Sequence, residues 1–220
     1  MPPPLDLLPS LLGGLWVTLG LTAGGACVAF VAAWLSGLGR LSKVLPIRWM
    51  SIAYIETFRG TSALVQLYWF YFALPLIGVS LSAMTTGILV LGLNIGSYGG
   101  EVVRGAIQAV PKGQHEASTA LNLSPLQSLW LVTVPQAAIA MLPPAGNLLI
   151  ELLKSTALVS LITLSDLTFR GQLLRAETLR TTEVFGLLLV MYFVIALVLT
   201  FFVRMLERRL TRGRQLEVSH

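Results

Sequence analysis

The chain has 220 residues, a formal net charge of +5 and a mean hydropathy of +0.79; 55% of its residues are hydrophobic and only 11% charged. A soluble domain carries about 25% charged residues, so this composition excludes an ordinary water-facing surface and points to lipid as the solvent. A single cysteine, Cys27, excludes an internal disulfide and a cysteine-rich metal site, and two histidines, His115 and His220, are too few and too far apart for another metal site.

The opening MPPPLDLLPS contains an acid and no basic residue, so a cleaved secretory signal is not expected. AGGAC (23–27) is a weak match to a lipoprotein cleavage box, lacking its leucine and basic start; Cys27 is read as packing. Charge-free stretches then mark the spans, since a crossing helix needs about 20 apolar residues. The spans are expected at roughly 12–38, 61–78, 82–104, 127–152 and 184–203, with Glu101, Arg104 and Glu151 near the ends of the third and fourth. Their continuous apolarity, rather than alternation, predicts helices and not barrel strands. The expected fold is all-α, a single transmembrane domain over 1–220 with five helices.

Five spans place the termini on opposite sides. Arg40, Lys43, Arg48 and Arg59 follow the first span, Arg104 and Lys112 flank the end of the third, and Arg204, Arg208, Arg209, Arg212 and Arg214 follow the fifth. The other side has Lys154, Arg170, Arg175 and Arg180. The richer side is expected to be cytoplasmic, with the N-terminus outside and segment 112–126 inside. The net positive charge is therefore assigned to membrane sidedness, with no nucleic acid as partner. Gly20 and Gly24, and Gly92, Gly96 and Gly100, repeat at the four-residue spacing that lets helices approach closely in lipid. STALVSLITLS (155–165) is apolar but too short to cross, and could re-enter the membrane or cap a cavity.

QHEASTALNLSPLQSLWLVTVP (114–135) interrupts this pattern. Pro111 and Gly113 stop the third span; QHEASTAL then suits a short helix, with Glu116 in a first turn that favours negative charge. Asn122 can close that helix in the left-handed conformation. Ser124-Pro125-Leu126-Gln127 supplies an N-cap, a first-position proline and a capping box for the next helix. Ala117, Ser118 and Ala120 are small enough to let another surface come close. The stretch writes a cytoplasmic knob, which asks for a cytoplasmic partner.

Glu116-Ala117-Ser118, Asn122 and Val132-Thr133-Val134-Pro135 resemble the EAA loop of permease subunits in bacterial ABC importers, with Ser118 in place of Ala and Asn122 in place of Gly. ETFRGTSALVQL (56–67), LNIGSYGGEVVRGAIQAVPKGQHEA (93–117) and LPPAGNLLIELLKSTALVSLITLSDL (142–167) resemble the polar-amino-acid permease family, which more often has Pro where Ser62 stands. RGTSALVQLYWFYFALP and ALVSLITLSDLTF look most like the ectoine/hydroxyectoine permease branch of that family. The resemblance implies a type I import permease in the bacterial inner membrane. It also implies two cytoplasmic ATPase subunits, a second permease chain, identical or related, and an extracytoplasmic solute-binding protein. The cargo would be a polar zwitterion, ectoine, hydroxyectoine or a polar amino acid. The EAA-type helix would sit in a groove on the ATPase.

LSGLG (35–39) looks like an ATPase signature, but no Gly-Lys pair exists for a phosphate loop, so the chain is expected neither to bind ATP nor to act as an enzyme, and no cofactor is implied. Candidate pathway residues are Asn94, Asn147, Glu151, Lys154 and Thr156. Ionisable groups at membrane depth usually face a cavity or a partner. Glu151 and Lys154 lie three apart on one helix face and could instead be an interface pair; Asn94 and Asn147 could instead join helices. YWFYF (68–72) offers a cation-stacking wall or plain packing. An ion-driven secondary transporter would explain the spans and charges, but not the knob. No paired carboxylates, Ser/His set or metal cluster supports an intramembrane enzyme.

Overall fold

The computed structural model describes residues 5–211. Arg212, Arg214 and His220, noted above, lie outside the described residues. All regular elements among the described residues are helical.

Helix α1 spans Leu8–Leu41, longer at both ends than the charge-free stretch that marks it. Pro9 sits in its first turn, where a missing N–H costs nothing. The expected loop after it is instead a helix, α2, Leu45–Gly60, also started by a proline. Arg48, Glu56 and Arg59 disguise this helix in a search for apolar runs. Ile55 is its one fully buried residue, while Leu45, Trp49 and Met50 stay exposed. The expected second span, 61–78, becomes a compound helix. It comprises α3 (Ala63–Tyr68), a π turn (Trp69–Ala73) and a 3-10 turn (Leu74–Ile77), ending on Gly78 at φ 88°. It is bent by 104° from α2.

Helix α4, Ala83–Gln108, is capped by the Ser82 side chain, which accepts from Thr85 N at 3.1 Å. The short helix α5 covers Lys112–Ala120. A three-residue α6 (Pro125–Gln127) and a π turn (Ser128–Thr133) lead into α7, Val134–Ser155. Segment 155–165 opens on a 3-10 turn, Thr156–Ile162, whose Val159 and Ile162 are fully buried. Helix α8 (Leu167–Thr178) and the long α9 (Thr181–Thr211) complete the chain.

α1 and α4 lie side by side and run in the same direction. Gly20 meets Met84, Gly24 meets Ile88, Val28 meets Gly92, Ala32 meets Gly96 and Ser36 meets Gly100. The repeated glycines thus form one seam between two helices. The central core lies along it, with Leu21, Val90, Leu91, Ile95, Leu152 and Val159 buried together. One end of the bundle is closed by Leu7, Leu11, Leu167, Val184 and Leu188. The other is closed by Ala33, Val103, Ile107, Ala137 and Met141, next to α5. The described chain starts at the first end and finishes, through α9, at the second.

Three helical stretches are long and apolar enough to cross a membrane: Leu5–Leu41, Pro125–Ile162 and Thr181–Leu210; the bent pair α2–α3 makes a fourth if counted as one span. α4 has the length, 26 residues, but is not among them. Its glycines, Asn94 and Ser97 face other helices and dilute its apolarity. Five spans therefore exceed what helix length and composition show.

A Cβ on Gly92 would lie 2.6 Å from Val28 Cβ and 2.9 Å from the Gly25 carbonyl oxygen, whereas one on Gly105 meets nothing within 4 Å. Gly92→Ala is expected to destabilise the protein by about 1–3 kcal/mol through overpacking. Gly105→Ala is expected to be neutral or slightly stabilising, since Ala is the better helix former. Thermal unfolding of the two variants in the same detergent checks this.

Candidate functional site

Only Ala109, Val110 and Pro111 separate α4 from α5. Pro111, at ψ 139°, turns the chain, and the new helix begins at Lys112. Glu116 is therefore not in the first turn, as the sequence suggests, but in the middle of the helix; Pro111 starts α5 earlier than QHEASTAL alone implies. Glu116, Ala117 and Ala120 are exposed, as are the large side chains of Leu121 and Leu126 beyond them. Ser118 corrects the expectation of an all-exposed small-residue face: it is buried. Its hydroxyl donates to the His115 carbonyl at 2.8 Å and lies 2.7 Å from Ser128 Oγ. Gln136 Nε2 donates to Gln114 Oε1 at 3.1 Å. These contacts bolt α5 onto the helix that follows it.

The stop and restart form as the residues dictate. Asn122 adopts φ 57°, the left-handed conformation that lets Leu123 N donate to Ser118 O at 3.0 Å. Ser124 and Gln127 make the reciprocal capping box, with Ser124 N donating to Gln127 Oε1 at 2.9 Å. Pro135 is exposed at the start of α7, just past the π turn. It has no N–H to return to the preceding turn, and Thr133 Oγ1 donates to Ser128 O at 3.3 Å inside that turn. The knob is thus fixed covalently to α4 on one side and by hydrogen bonds to the α6–α7 rod on the other.

The structure divides the candidate pathway residues. Asn147, Glu151 and Lys154 are exposed on one face of α7, continuing the line of Ala140 and Pro143. Among the described residues neither Glu151 nor Lys154 has a charged partner. Asn94 is elsewhere, buried between α4 and α3, and donates to Phe58 O at 3.0 Å and Gln66 Oε1 at 3.1 Å. Thr156 is fully buried and donates to Leu153 O at 2.7 Å. Tyr68, Trp69 and Phe72 of the aromatic stretch are exposed; Phe72 packs on Tyr68 and Tyr71, and Trp69 on Phe70. A cavity of about 390 Å³ between α1, α4 and α7 has Phe30, Trp34, Met141 and Leu148 among its walls. Its lining residues are all apolar, so it offers nothing to orient a zwitterion.

LSGLG is a packing element: Ser36 and Gly37 are buried in the seam with α4, and Gly39 touches Ser51 of α2. Cys27 is exposed on the side of α1.

Three polar clusters escape a reading of the sequence because their partners are distant in the chain. Glu101 of α4 pairs with Arg40 of α1 and with Arg104 at 2.7 Å, while Arg40 also lies 3.8 Å from Glu56 of α2. This joins three helices at the α5 end. At the other end, Asp166 is fully buried and caps α8, accepting from Thr168 N at 3.1 Å and Phe169 N at 2.9 Å. Tyr192 of α9 also donates to it at 3.4 Å, and burial pushes its carboxyl above the usual aspartate range. The third cluster is the Asn94–Gln66 pair. A lone glutamine in the run ALVQLYWFYF is the one local sign of it. Among the described residues, no three of His, Cys, Asp and Glu come together to hold a metal ion.

Comparison with known proteins adds to this geometry. Residues 17–212 match the family described as "Binding-protein-dependent transport system inner membrane component". The chain is 50% identical to a probable amino-acid ABC transporter permease protein, y4tF, of Sinorhizobium fredii, covering 95% of this chain and 90% of that one. It is 35% identical to the glutamine transport system permease protein GlnP of Escherichia coli, over 92% and 94% of the two chains. Its fold matches a solved crystal structure of an amino acid ABC transporter with histidines at a TM-score of 0.86 and 34% identity, covering 93% and 96%.

Because Asn122 holds a positive φ, Asn122→Gly is expected to leave the α5–α6 turn intact. Asn122→Val is expected to open it at a cost of about 1–2 kcal/mol. Hydrogen exchange at the Asn122 and Leu123 amides checks this: Val should speed it about tenfold and Gly should not.

Proposed function

The chain belongs to the family of binding-protein-dependent transport system inner membrane components, and from that premise we propose how this permease subunit of an ABC importer works and what it carries. Membership replaces the rival reading of an ion-driven transporter acting alone. In the proposed arrangement the chain sits in the bacterial inner membrane beside a second permease chain, identical or related. ATP is hydrolysed on two separate cytoplasmic subunits, and an extracytoplasmic binding protein delivers the solute.

The observation that carries this reading is the knob itself. α5 presents Glu116, Ala117 and Ala120 outward while Ser118 and Gln114 bolt it to the α6–α7 rod. A push on α5 would therefore reach α4 and α7 together. α7 carries Asn147, Glu151 and Lys154 on an exposed face, where two unpaired charges in an apolar chain ask for a solute or a partner. We assign that face to the pathway: Glu151 suits an ammonium group and Lys154 a carboxylate. The five-span topology, with the N-terminus outside, is supported by the two ends of the described residues, Leu5 and Thr211, lying toward opposite ends of the bundle. Arg40 and Arg104, joined through Glu101, and Lys112 of α5 lie at the α5 end, and Arg204 and Arg208 lie in the last turns of α9.

A polar amino acid is the favoured cargo, because the relatives named above carry amino-acid and glutamine transport in their names. Ectoine or hydroxyectoine is the narrower reading, and rests on the resemblance in segments 59–75 and 157–169 alone.

The test is the double variant Glu116→Lys, Ala117→Trp, which adds charge and bulk where two surfaces must touch; overpacked contacts cost about 1–3 kcal/mol. The permease is expected to insert normally while ATPase co-purification falls and solute-stimulated ATP hydrolysis is lost, relative to Glu217→Lys as control. Retention of the ATPase with transport at the control's rate would show that α5 is not the coupling element.

A further inference from the structure

Residues 45–77 form one broken helix, with α2 and α3 bent by 104° across Thr61 and Ser62. Such a break strips the last carbonyls of α2 of their helical donors. Where water is excluded, each of those carbonyls must find another partner. Two side-chain amides provide it. The Phe58 carbonyl accepts from Gln66 Nε2 at 3.0 Å and from Asn94 Nδ2 at 3.0 Å. Gln66 Nε2 also reaches Thr61 Oγ1 at 2.7 Å, and Gln66 Oε1 accepts from Asn94 Nδ2 at 3.1 Å. Both residues are only 9% exposed. Asn94, from the middle of α4, thus grips the elbow on both arms: α2 through Phe58, and α3 through Gln66.

The elbow also presents a charge. Arg59 follows Phe58, is exposed, and places its guanidinium 5.2 Å from the centroid of the Tyr98 ring, one turn along α4 from Asn94. No carboxylate pairs with it among the described residues. Its contact with the Tyr98 ring sets it against α4, short of the Arg40 and Arg104 cluster at the α5 end with which the charge pattern groups it. α4 in turn runs to within three residues of α5.

We infer that Asn94 and Gln66 are positioning residues of the transport cycle: their amide pair ties the α2–α3 elbow, and with it Arg59, to the displacement of α4 that the ATPase drives through α5. This rests on the reading of α5 given above. A clamp of this kind is needed for coupling, not for ATP hydrolysis, and that separates it from a purely structural role.

The experiment uses the complete transporter in proteoliposomes, with its ATPase and binding protein. The probe is labelled L-glutamine or labelled ectoine, whichever the unmodified transporter accumulates at the expense of ATP. Asn94→Leu and Gln66→Leu are each expected to keep the ATPase bound and basal hydrolysis unchanged. Solute moved per ATP should fall about tenfold, the worth of one buried donor bond. The double leucine variant should be no worse than either single, and the exchange Asn94→Gln with Gln66→Asn should recover part of the loss. An unchanged ratio in the leucine variants would overturn the inference. So would a loss of uptake matched by equal loss of assembly or basal hydrolysis. If the unmodified transporter accumulates neither probe with ATP, the functional reading fails first, and the inference falls with it.

Discussion

Between apolar helices in lipid, burial gives little reason to associate, because the surrounding hydrocarbon is as apolar as the partner. What remains is close contact of backbones, and in this protein that contact is the seam between α1 and α4. Gly92, Gly96 and Gly100 let the backbone of α4 approach Val28, Ala32 and Ser36 of α1 without intervening side chains. The rest is hung on that pair. α7 packs its Leu152 against Gly25 and its Leu148 beside Gly99. The 3-10 turn after α7 seats Val159 on Gly87. The α2–α3 elbow is held from the opposite side of α4 by Asn94, and Glu101 ties α1 to α4 where the seam ends.

A rod anchored so fully is suited to carrying force. α4 leaves the seam, turns at Pro111 and becomes α5 with almost no slack. The helix stop at Asn122 and restart at Ser124 then fold the chain back, so that Ser118 and Ser128 meet ten residues apart. The result is a short helix that projects outward yet cannot swing independently of the rods on either side. This is the physical form that the proposed coupling loop takes in these residues. The substitutions of Ser for Ala and Asn for Gly are consistent with it. The serine gains a hydroxyl contact, and the asparagine tolerates the conformation glycine would adopt.

Much of this is legible in the sequence wherever the signal is local. The capping box at Ser124, the left-handed Asn122 and the glycine spacing each depend on residues a few positions apart, and each forms as read. The shared face of Glu151 and Lys154 follows from helical period alone, whereas the exposure of Asn147 on that face is seen only in the structure. What is not legible depends on distant partners. Glu101 and Arg40 are far apart in sequence, as are Asn94 and Phe58, and nothing local announces either pair. α2 is hidden because its three charged residues break the apolar run that marks a span, although its helical start at Pro46 is plain once seen. Ser118 departs from expectation for the same reason: its exposure is decided by Ser128, beyond the turn. Thr156 falls near the pathway by sequence proximity to Lys154, but the chain tightens into a 3-10 turn there and carries it into the core.

The central claim is that the exposed surface of α5 touches the ATPase. The most direct measurement replaces Cys27 by Ser, introduces Ala117→Cys, and attaches a benzophenone photo-cross-linker to the permease's single thiol before the permease is assembled with its ATPase. Gln172→Cys, exposed on α8 at the opposite end of the bundle, serves as the comparison. The account predicts a light-dependent adduct of the permease with its ATPase from position 117 and none from position 172. Equal adducts from both positions, or none from position 117 in a transporter that still hydrolyses ATP, would contradict it.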